Sequence, residues 1–438
     1  MLAFRRLCFR RRSWIGLVAI AFAAQLFWFS NYSESSADQP SRSSAKSDAK
    51  KKKKRRSSRN SKYIIPPPLE DLGRDYKVRL IYFVPKDKEV KDKYREKIEV
   101  LMQVVADIYR RDLKKHGHKT RGLDFEFDDD DQVKVHLING ERPSVFYTGE
   151  PFSVNQLLES TKQEVLHKLG NPVGRACLIF SEAGGIAEAQ PAYPYCGFAM
   201  VSGDMLRDEI TATTIEKQIQ GFFDARPYKK KGEKKAEPLN KERQVSNGVL
   251  IHELGHIFFM LHDTEFKDRN IMAAGYHNLA KMFDPKTAKK HPVRFSPAHA
   301  RIASATRFLS ESFDSSDTQP PSIEFSLARQ PRGGDKHVEF NVKLRDPGGL
   351  HSVICMQRGG GGIDGLIGDA PLDGKVYEKT VKFESPHVLL AGQPLIYIMN
   401  VMDENGNCAQ AVQQSYVAEG PKKKSGQNRG QRNSRKRN

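Results

Sequence analysis

The sequence predicts an α/β (α+β) domain with a mixed, twisted sheet, followed by an all-β domain, with a basic tail at each end. Three observations lead to this prediction. Apolar runs of strand period and of helix period alternate over residues 75–313, which is typical of a mixed sheet covered by helices. Residues 321–418 contain short segments in which apolar and polar residues alternate, as in β-strands, separated by turn residues. A chain of 438 residues is long enough for two globular domains with tails.

The formal net charge of +19 belongs to the ends of the chain. Residues 1–62 carry 16 Lys+Arg against 3 Asp+Glu, and residues 421–438 carry 8 against none. The residues between them carry 48 against 50. A nucleic-acid-binding domain carries its charge on structured elements, so this distribution argues against specific nucleic-acid binding. The basic segments are either solvated spacers or attract an anionic cell-surface polymer or lipid.

Residues 1–30 have the pattern of a signal peptide or a signal anchor. Five arginines precede an uncharged, mainly apolar run at 14–29. Sixteen residues are long for a signal-peptide core and short for a membrane span, so cleavage and anchoring both remain open. Either outcome exports the body to the periplasm, the cell surface or the medium, with membrane contact only through this segment. Residues 31–74 are predicted to be a disordered basic linker.

Four cysteines lie outside the export segment. They allow two disulfides, 177/196 and 355/408, each within one predicted domain, and two other pairings as well. The sequence does not choose among these pairings.

The α/β domain begins at a strongly apolar strand, and its first helix has Ile98, Leu101 and Val105 at helical spacing. The elements predicted after that strand at 78–84 are a helix at 94–116, strands at 123–127 and 133–138, a helix at 153–169, a strand at 176–180, an edge strand at 192–201, a helix carrying His252 and a last helix at 297–312. Pro194 and Gly197 interrupt the edge strand, as is usual at the margin of a sheet.

The all-β domain is predicted to be an immunoglobulin-like β-sandwich, because six or seven short strands fit into residues 321–418. The strands are expected at 322–328, 337–344, 351–356, 375–383, 395–402 and 409–417. The glycine run at 359–362 lacks the strand-to-helix context of a phosphate loop and is expected to be a flexible loop. Residues 419–438 are predicted to be a disordered basic tail.

His252, Glu253 and His256 form an H-E-x-x-H sequence. Residues four apart on a helix lie one above the other, so the two histidines can offer their imidazoles to one metal ion. Glu253 is rotated away from that pair, where a carboxylate can hold a water molecule. A third histidine, His262, and a methionine, Met272, follow within sixteen residues. The opposite side of the helix is apolar and suited to a core, with Leu250, Leu254, Ile257 and Leu261.

This stretch resembles the metzincin zinc endopeptidases. The resemblance rests on the H-E-L-G-H sequence at 252–256, on His262 and on the downstream N-I-M-A sequence at 270–273. The residues of these motifs are most similar to those of the adamalysin branch. It covers residues 75–312 as an order of elements. The resemblance implies the zinc ligands His252, His256 and His262, the general base Glu253 and the Met-turn residue Met272.

One position departs from the family pattern, because Phe259 stands where the family has glycine. On an uninterrupted helix, His262 would lie about 15 Å along the axis from His252, too far to share a metal. The chain must therefore turn between His256 and His262. A residue other than glycine at positive φ costs about 1–2 kcal/mol, which zinc binding could outweigh. Other candidates for the third ligand remain open, namely Asp263, Asp268 and, in a gluzincin arrangement, Glu311.

The resemblance implies hydrolysis of a peptide bond. Zinc would polarise the scissile carbonyl and lower the pKa of its water towards about 7, while Glu253 takes the proton and passes it to the leaving amine. The edge strand of the family binds substrate in an extended form, which here would be residues 192–201. Tyr276 is a candidate for stabilising the oxyanion, although a packing role fits its position after Met272 better.

Two functions from different classes follow. The first is a zinc-dependent endopeptidase that hydrolyses protein or peptide substrates outside the cytoplasm. The second is an exported surface-binding or adhesion protein, in which the sandwich and the tails act and the zinc site is structural or degenerate. Retention of Glu253 favours the enzyme, because a structural zinc site has no use for that carboxylate and is more often closed by a fourth protein ligand.

Overall fold

The structure is a computed structural model. It describes residues 69–71, 75–184, 187–191, 196–206, 227–228, 237–283, 285–362 and 364–420. The predicted export segment, most of the basic linker and the C-terminal tail from residue 421 lie outside the described residues. Within those ranges, no helix has both the length and the apolar character that crossing a bilayer requires.

The first half of the chain forms a mixed α/β unit. In chain order it contains β1 (Leu69–Asp71), β2 (Lys77–Val84), α1 (Tyr94–Lys115), β3 (Val135–Asn139), α2 (Ser144–Thr148), α3 (Val154–Leu169), β4 (Asn171–Val173), β5 (Arg175–Ser181), β6 (Glu188–Gln190), β7 (Cys196–Ser202), β8 (Pro227–Tyr228), β9 (Glu237–Pro238), α4 (Leu239–Ile257), α5 (Pro285–Lys290) and α6 (Pro297–Ala305), with 3-10 turns at Gly203–Leu206 and Gly275–Met282. The mixed sheet has the order β3-β2-β5-β7-β6, in which only β6 is antiparallel to its neighbour.

Strands β2 and β5 lie in the middle of this sheet because nearly all their side chains are apolar and buried on both faces. Successive residues point to opposite faces. Leu80 and Tyr82 share a core with α1 and α4, whereas Ile81 and Phe83 pack on the side of α3. The helix with the H-E-x-x-H sequence is thus held against one face of the sheet, as predicted.

Three predicted elements of this unit differ from the structure. Residues 123–127 make only isolated bridges, Val78 to Phe125 and Phe127 to Val133, instead of a strand. Of the predicted edge strand at 192–201, residues 192–195 lie outside the described residues, and the rest belongs to β7, which lies inside the sheet because β6 covers its outer side. The last helix ends at Ala305, not at residue 312, because Thr306 adopts an extended backbone with ψ of 146°.

The second half of the described chain forms seven strands in two antiparallel sheets. The strands are β10 (Ser322–Leu327), β11 (His337–Arg345), β12 (Leu350–Gly359), β13 (Gly365–Pro371), β14 (Val376–Glu384), β15 (Pro394–Asp403) and β16 (Cys408–Tyr416). The sheets have the orders β10-β11-β14 and β13-β12-β15-β16. They share one core, in which the rings of Phe340 and Tyr397 lie 4.8 Å apart. Strand β13 was not predicted, because two glycines and a proline weaken its strand signal.

The two units pack against each other over a common apolar surface. Ile354, Met356 and Met402 of the four-stranded sheet belong to the core that includes α4 and α6. At the edge of this contact, Arg301 forms an ion pair with Asp369 at 2.6 Å. All four cysteines outside the export segment are free thiols, so neither of the allowed disulfides is formed.

A buried ion cluster joins three strands of the mixed sheet at one end. The carboxylate of Glu126 accepts hydrogen bonds from Arg79 of β2 at 2.8 Å, Arg175 of β5 at 2.6 Å and His136 of β3 at 2.9 Å. Burial alone would raise the pKa of Glu126, but these hydrogen bonds outweigh it and hold the pKa well below its usual range. The cluster therefore stabilises the sheet only while Glu126 is ionised.

Replacing Glu126 tests this electrostatic contribution. Glu126→Gln should lower the free energy of unfolding by about 3 kcal/mol at neutral pH, because two mostly buried guanidinium groups lose their carboxylate. The folded pKa lies below the ordinary value of about 4.5, so this stabilisation is complete above that pH and is lost as the pH falls towards the folded pKa. Denaturant titrations at several pH values measure the difference, with the exposed pair member Glu324→Gln as control. A difference independent of pH would contradict the assignment.

Candidate metal centre

The helix α4 ends abruptly, and its end determines where His262 lies. Phe259 has a φ of 64°. The N–H of Phe259 donates to the His256 carbonyl at 3.1 Å, and the N–H of Met260 donates to the Gly255 carbonyl at 3.0 Å. This pair of bonds is a Schellman motif, with Phe259 at the position that glycine usually occupies. The turn required between the second and third histidines is present, and a phenylalanine makes it.

Burial and a long-range hydrogen bond offset the backbone strain at Phe259. Its side chain is 5% exposed, and burying a phenylalanine contributes about 2–3 kcal/mol, against about 1–2 kcal/mol for the left-handed backbone. The side-chain amide of Asn400 in β15 donates to the Phe259 carbonyl at 2.9 Å. Gln410 of β16 in turn donates to the Asn400 oxygen at 2.7 Å. The all-β unit thus stabilises the turn at Phe259, where α4 ends.

The turn brings three imidazoles together. The Nε2 atoms of His252, His256 and His262 form a triangle with sides of 3.2 Å. Among the described residues, these three histidines form one of the two side-chain groups whose spacing suits a metal ion. The three positions predicted as zinc ligands therefore meet at one point.

Main-chain carbonyls fix the orientation of two of these rings. His252 Nδ1 lies 2.8 Å from the Ile271 carbonyl, and His256 Nδ1 lies 2.8 Å from the Met260 carbonyl. A carbonyl can only accept, so each Nδ1 carries the hydrogen and each Nε2 presents its lone pair to the centre. Burial, with repulsion from neighbouring rings, lowers the pKa of His256 well below its usual value and that of His262 to about 3. Neutral rings with converging lone pairs repel one another unless a cation lies between them.

The donor set fits zinc. Tetrahedral zinc with Zn–N distances of about 2.0–2.1 Å places its nitrogen ligands about 3.3–3.4 Å apart, close to the observed 3.2 Å. The carbonyls behind His252 and His256 are the partners that zinc-bound imidazoles usually have. Three protein ligands leave a fourth position for water or substrate, which is typical of catalytic zinc sites.

Two carboxylates lie beside the histidines. Glu253 is 7% exposed, and burial, helped by repulsion from Glu188, raises its pKa to about 8. Glu188 belongs to β6, the edge strand of the described sheet, and burial raises its pKa as well. The helix that carries Glu253 therefore packs against β7 and against β6, the edge strand that carries Glu188.

Met272 and Tyr276 both lie close to α4. Met272 is fully buried, and a methyl group added at Gly255 would come within 2.5 Å of its sulfur, so only glycine fits on that face of α4. The N–H of Asp263 donates to the Met272 carbonyl at 3.1 Å, which closes a turn beneath the site. The Tyr276 ring lies 4.9 Å from the His252 ring, close enough for either packing or a contact with substrate.

The other candidates for the third ligand do not join the histidines. Asp263 uses its carboxylate to accept the Glu265 N–H and the Asn270 amide, both at 2.8 Å. Asp268 and Glu311 are absent from the histidine group. His262 is therefore the third donor in this arrangement.

Sequence reasoning missed three supporting residues. His299 of α6 contacts the Leu261 carbonyl through Nε2 at 2.8 Å, which fixes the chain next to His262. Glu188 and Asn400 approach the site from β6 and β15. In the sequence, His299 follows a Ser-Pro helix start and Asn400 interrupts an apolar strand. Neither feature indicates a contact with α4.

Comparisons with known proteins give a likeness in structure alone. No protein-family model matches the chain, and no curated protein matches it in sequence. Catalytically inactive OgpA from Akkermansia muciniphila, in complex with the O-glycopeptide substrate glycodrosocin, aligns with a TM-score of 0.50 and 12% identity over 78% of this chain and 93% of that chain. Two structures of wild-type OgpA from the same organism give TM-scores of 0.48 and 0.49 at 12% and 13% identity, over 78% of this chain and 94% and 92% of theirs. At 12% identity the first likeness shows a shared fold.

Replacing Phe259 measures what its ring contributes to the turn. Phe259→Gly should relieve the strained backbone, but the lost burial of the ring and the cavity left behind together cost about 3–5 kcal/mol. The free energy of unfolding should therefore fall by about 2–3 kcal/mol. Phe259→Leu keeps the strain and most of the apolar contact, so it should be less destabilising. Denaturant titrations of both variants measure the effect. A glycine variant more stable than the original chain would contradict this account.

Removing the Asn400 amide should weaken the metal site from a distance. Asn400→Ala leaves the Phe259 carbonyl and the Gln410 amide without their partner, which should cost about 1–3 kcal/mol of stability and reduce zinc affinity. Calorimetric zinc titration and thermal unfolding measure the two effects. The control is Asn341→Ala, which removes an exposed amide in β11 whose oxygen accepts a hydrogen bond from the Thr380 hydroxyl of β14. Unchanged zinc affinity in Asn400→Ala would contradict a supporting role for this residue.

Proposed function

We propose that this chain is a zinc-dependent endopeptidase that acts on protein or peptide substrates outside the cytoplasm. One observation carries the proposal. The three Nε2 atoms lie 3.2 Å apart, and the adjacent residue of α4, Glu253, is buried and interacts electrostatically with Glu188 of the edge strand β6. The fold shared with OgpA over most of both chains supports the proposal, because OgpA takes an O-glycopeptide as substrate.

The chain would hold zinc through His252, His256 and His262. When bound, zinc supplies a Lewis acid that polarises a carbonyl oxygen and lowers the pKa of water. Glu253 would take the proton from the attacking water and deliver it to the leaving amine. Burial raises the pKa of its carboxyl above the usual value, which makes the carboxylate a stronger base. Buried, preoriented imidazoles keep the site ordered before substrate arrives.

The substrate would lie along β6. Among the described strands, β6 pairs only on its inner side, with β7, so its outer edge is free to add an extended peptide by main-chain hydrogen bonds. This strand replaces residues 192–201 as the proposed substrate edge. OgpA was crystallised with an O-glycopeptide, so an O-glycosylated peptide is the first substrate class to test for this chain.

We also propose that the chain is exported and that its basic ends contact an anionic surface. The apolar run at 14–29 supports export, by either a cleaved signal peptide or an anchor, to the periplasm, the cell surface or the medium. The basic terminal segments suit an anionic cell-surface polymer or lipid.

Two substitutions separate metal binding from hydrolysis. Glu253→Ala should keep one zinc per chain and lower the cleavage rate by about 10²–10⁴-fold, because the proton acceptor is removed. His256→Ala should lose both zinc and cleavage, because it removes one of three ligands. The measurements are metal content by mass spectrometry and cleavage of quenched peptides, each tested with and without an O-linked glycan. Chelator treatment and zinc restoration provide the control for metal dependence.

The outcomes distinguish the two classes of function. Cleavage that survives Glu253→Ala would contradict the mechanism. Stoichiometric zinc without cleavage of any peptide or glycopeptide would favour the binding protein with a structural zinc site.

A further inference from the structure

A second group of metal-type ligands lies where the two units join. Asp317 is in the segment before β10, Asp346 follows β11 and Asp403 ends β15. One carboxylate oxygen from each residue lies within 4.8 Å of the other two. None of the ion pairs formed between described residues involves these carboxylates, so lysine and arginine do not neutralise them directly.

The carboxylate of Asp346 has a buried oxygen without a partner. Asp346 is 2% exposed, and its Oδ1 accepts the N–H groups of Gly348 at 2.7 Å and Gly349 at 3.1 Å. Its Oδ2 is buried and has no hydrogen-bond partner among the described residues. A buried, unsatisfied oxygen of an ionised carboxylate costs more free energy than a neutral polar atom would, so it needs an explanation. A cation among the three carboxylates provides that explanation.

The other two carboxylates are held in place by the chain around them. Asp403 is fully buried and accepts the N–H groups of Asn405 at 2.9 Å and Asn407 at 2.7 Å. Asp317 accepts the side-chain amide of Asn405 at 2.9 Å. A methyl group at Gly348 would come within 2.7 Å of the Asp317 Oδ2, so glycine keeps the space beside the cluster open. The cluster is therefore preorganised and accessible to a small ion.

We propose that Asp317, Asp346 and Asp403 bind a calcium ion at the junction of the α/β and all-β units. Carboxylate oxygens are hard ligands, which excludes a preference for the softer, nitrogen- and sulfur-binding metals. Two oxygens on opposite sides of one calcium ion, each at about 2.3–2.6 Å from it, lie about 4.6–5.2 Å apart, so oxygens within 4.8 Å of one another can share the ion. Magnesium requires shorter bonds of about 2.1 Å and keeps several waters, so a largely buried site suits it less well.

The ion would add a second link between three segments, two of which already share the hydrogen bond from Asn405 to Asp317. It would join the segment before β10 to the turn after β11 and to the turn after β15. Arg307, which follows α6, donates to the Asn405 carbonyl and to the Tyr76 hydroxyl, both at 2.8 Å. The calcium site would therefore lie next to the contact between the turn after β15 and Arg307 of the α/β unit. It shares no ligand with the histidine centre and does not depend on the proposed function.

The experiment uses the full chain, stripped of metal and reloaded with one equivalent of zinc to keep the histidine centre filled. Calcium chloride is titrated in a calorimeter, and thermal unfolding is recorded with calcium, with magnesium and with neither. The proposal predicts one calcium per chain and a rise of the unfolding temperature of about 5 °C or more, with a smaller effect of magnesium. His256→Ala should retain the calcium response, which distinguishes this site from the proposed zinc site.

Substitutions locate the ion. Asp346→Asn and Asp317→Asn keep the size of the side chain and should each weaken calcium binding at least ~10-fold. Asp317 is only partly buried, so its variant should fold even if the Asp346 variant does not. The matched control is Asp373→Asn, an exposed carboxylate between β13 and β14, which should bind calcium as the original chain does. An original chain that does not respond to calcium, a response that survives both substitutions, or a preference for magnesium would overturn the proposal.

Discussion

The structure of the metal site depends on the left-handed turn at Phe259. Without it, α4 would continue and carry His262 away from His252. With it, the chain reverses within one residue and three Nε2 atoms meet 3.2 Å apart. Glycine would make this turn at lower backbone cost, but phenylalanine also buries a ring in the core below the helix. The strain is therefore compensated by packing at the same residue.

The all-β unit takes part in this compensation. The amide of Asn400 satisfies the Phe259 carbonyl from a strand 141 residues away in sequence. A methyl group added at Gly365 of β13 would come within 2.6 Å of the Thr264 hydroxyl, so the sandwich also approaches the segment just after His262. These contacts make the second unit a structural support of the metal site as well as a neighbour of it.

The sequence predicted the parts of the fold that local patterns determine. Strand β2, helices α1 and α3 and most sandwich strands have clear apolar periods, and the spacing of His252, Glu253 and His256 is itself helical. Strand β6 was missed because three residues of Glu-Ala-Gln carry no strand signal, and its position against β7 is a tertiary property. The predicted edge at 192–201 was wrong for the same reason.

Long-range contacts set the remainder of the site. The histidine spacing required a turn near Phe259, but no local pattern indicated what supports its positive φ, because the Asn400 amide comes from another unit. Likewise, burial and the charge of Glu188 together raise the pKa of Glu253, and neither is visible in the H-E-x-x-H sequence. A 355/408 disulfide is not formed, since Cys355 and Cys408 belong to different cores, whereas Cys177 and Cys196 share one core and are both free thiols.

X-ray absorption spectroscopy at the zinc edge tests the central claim most directly, because it reports the atoms that surround the metal in the zinc-loaded chain. The account predicts a first shell of nitrogen and oxygen atoms at about 2.0–2.1 Å, with the outer-shell scattering of three imidazoles and without sulfur. Replacing His262 by alanine should remove one imidazole from that signal. A spectrum with only two imidazoles in the original chain, or with sulfur at about 2.3 Å, would contradict the assignment of His262 and of the turn that positions it.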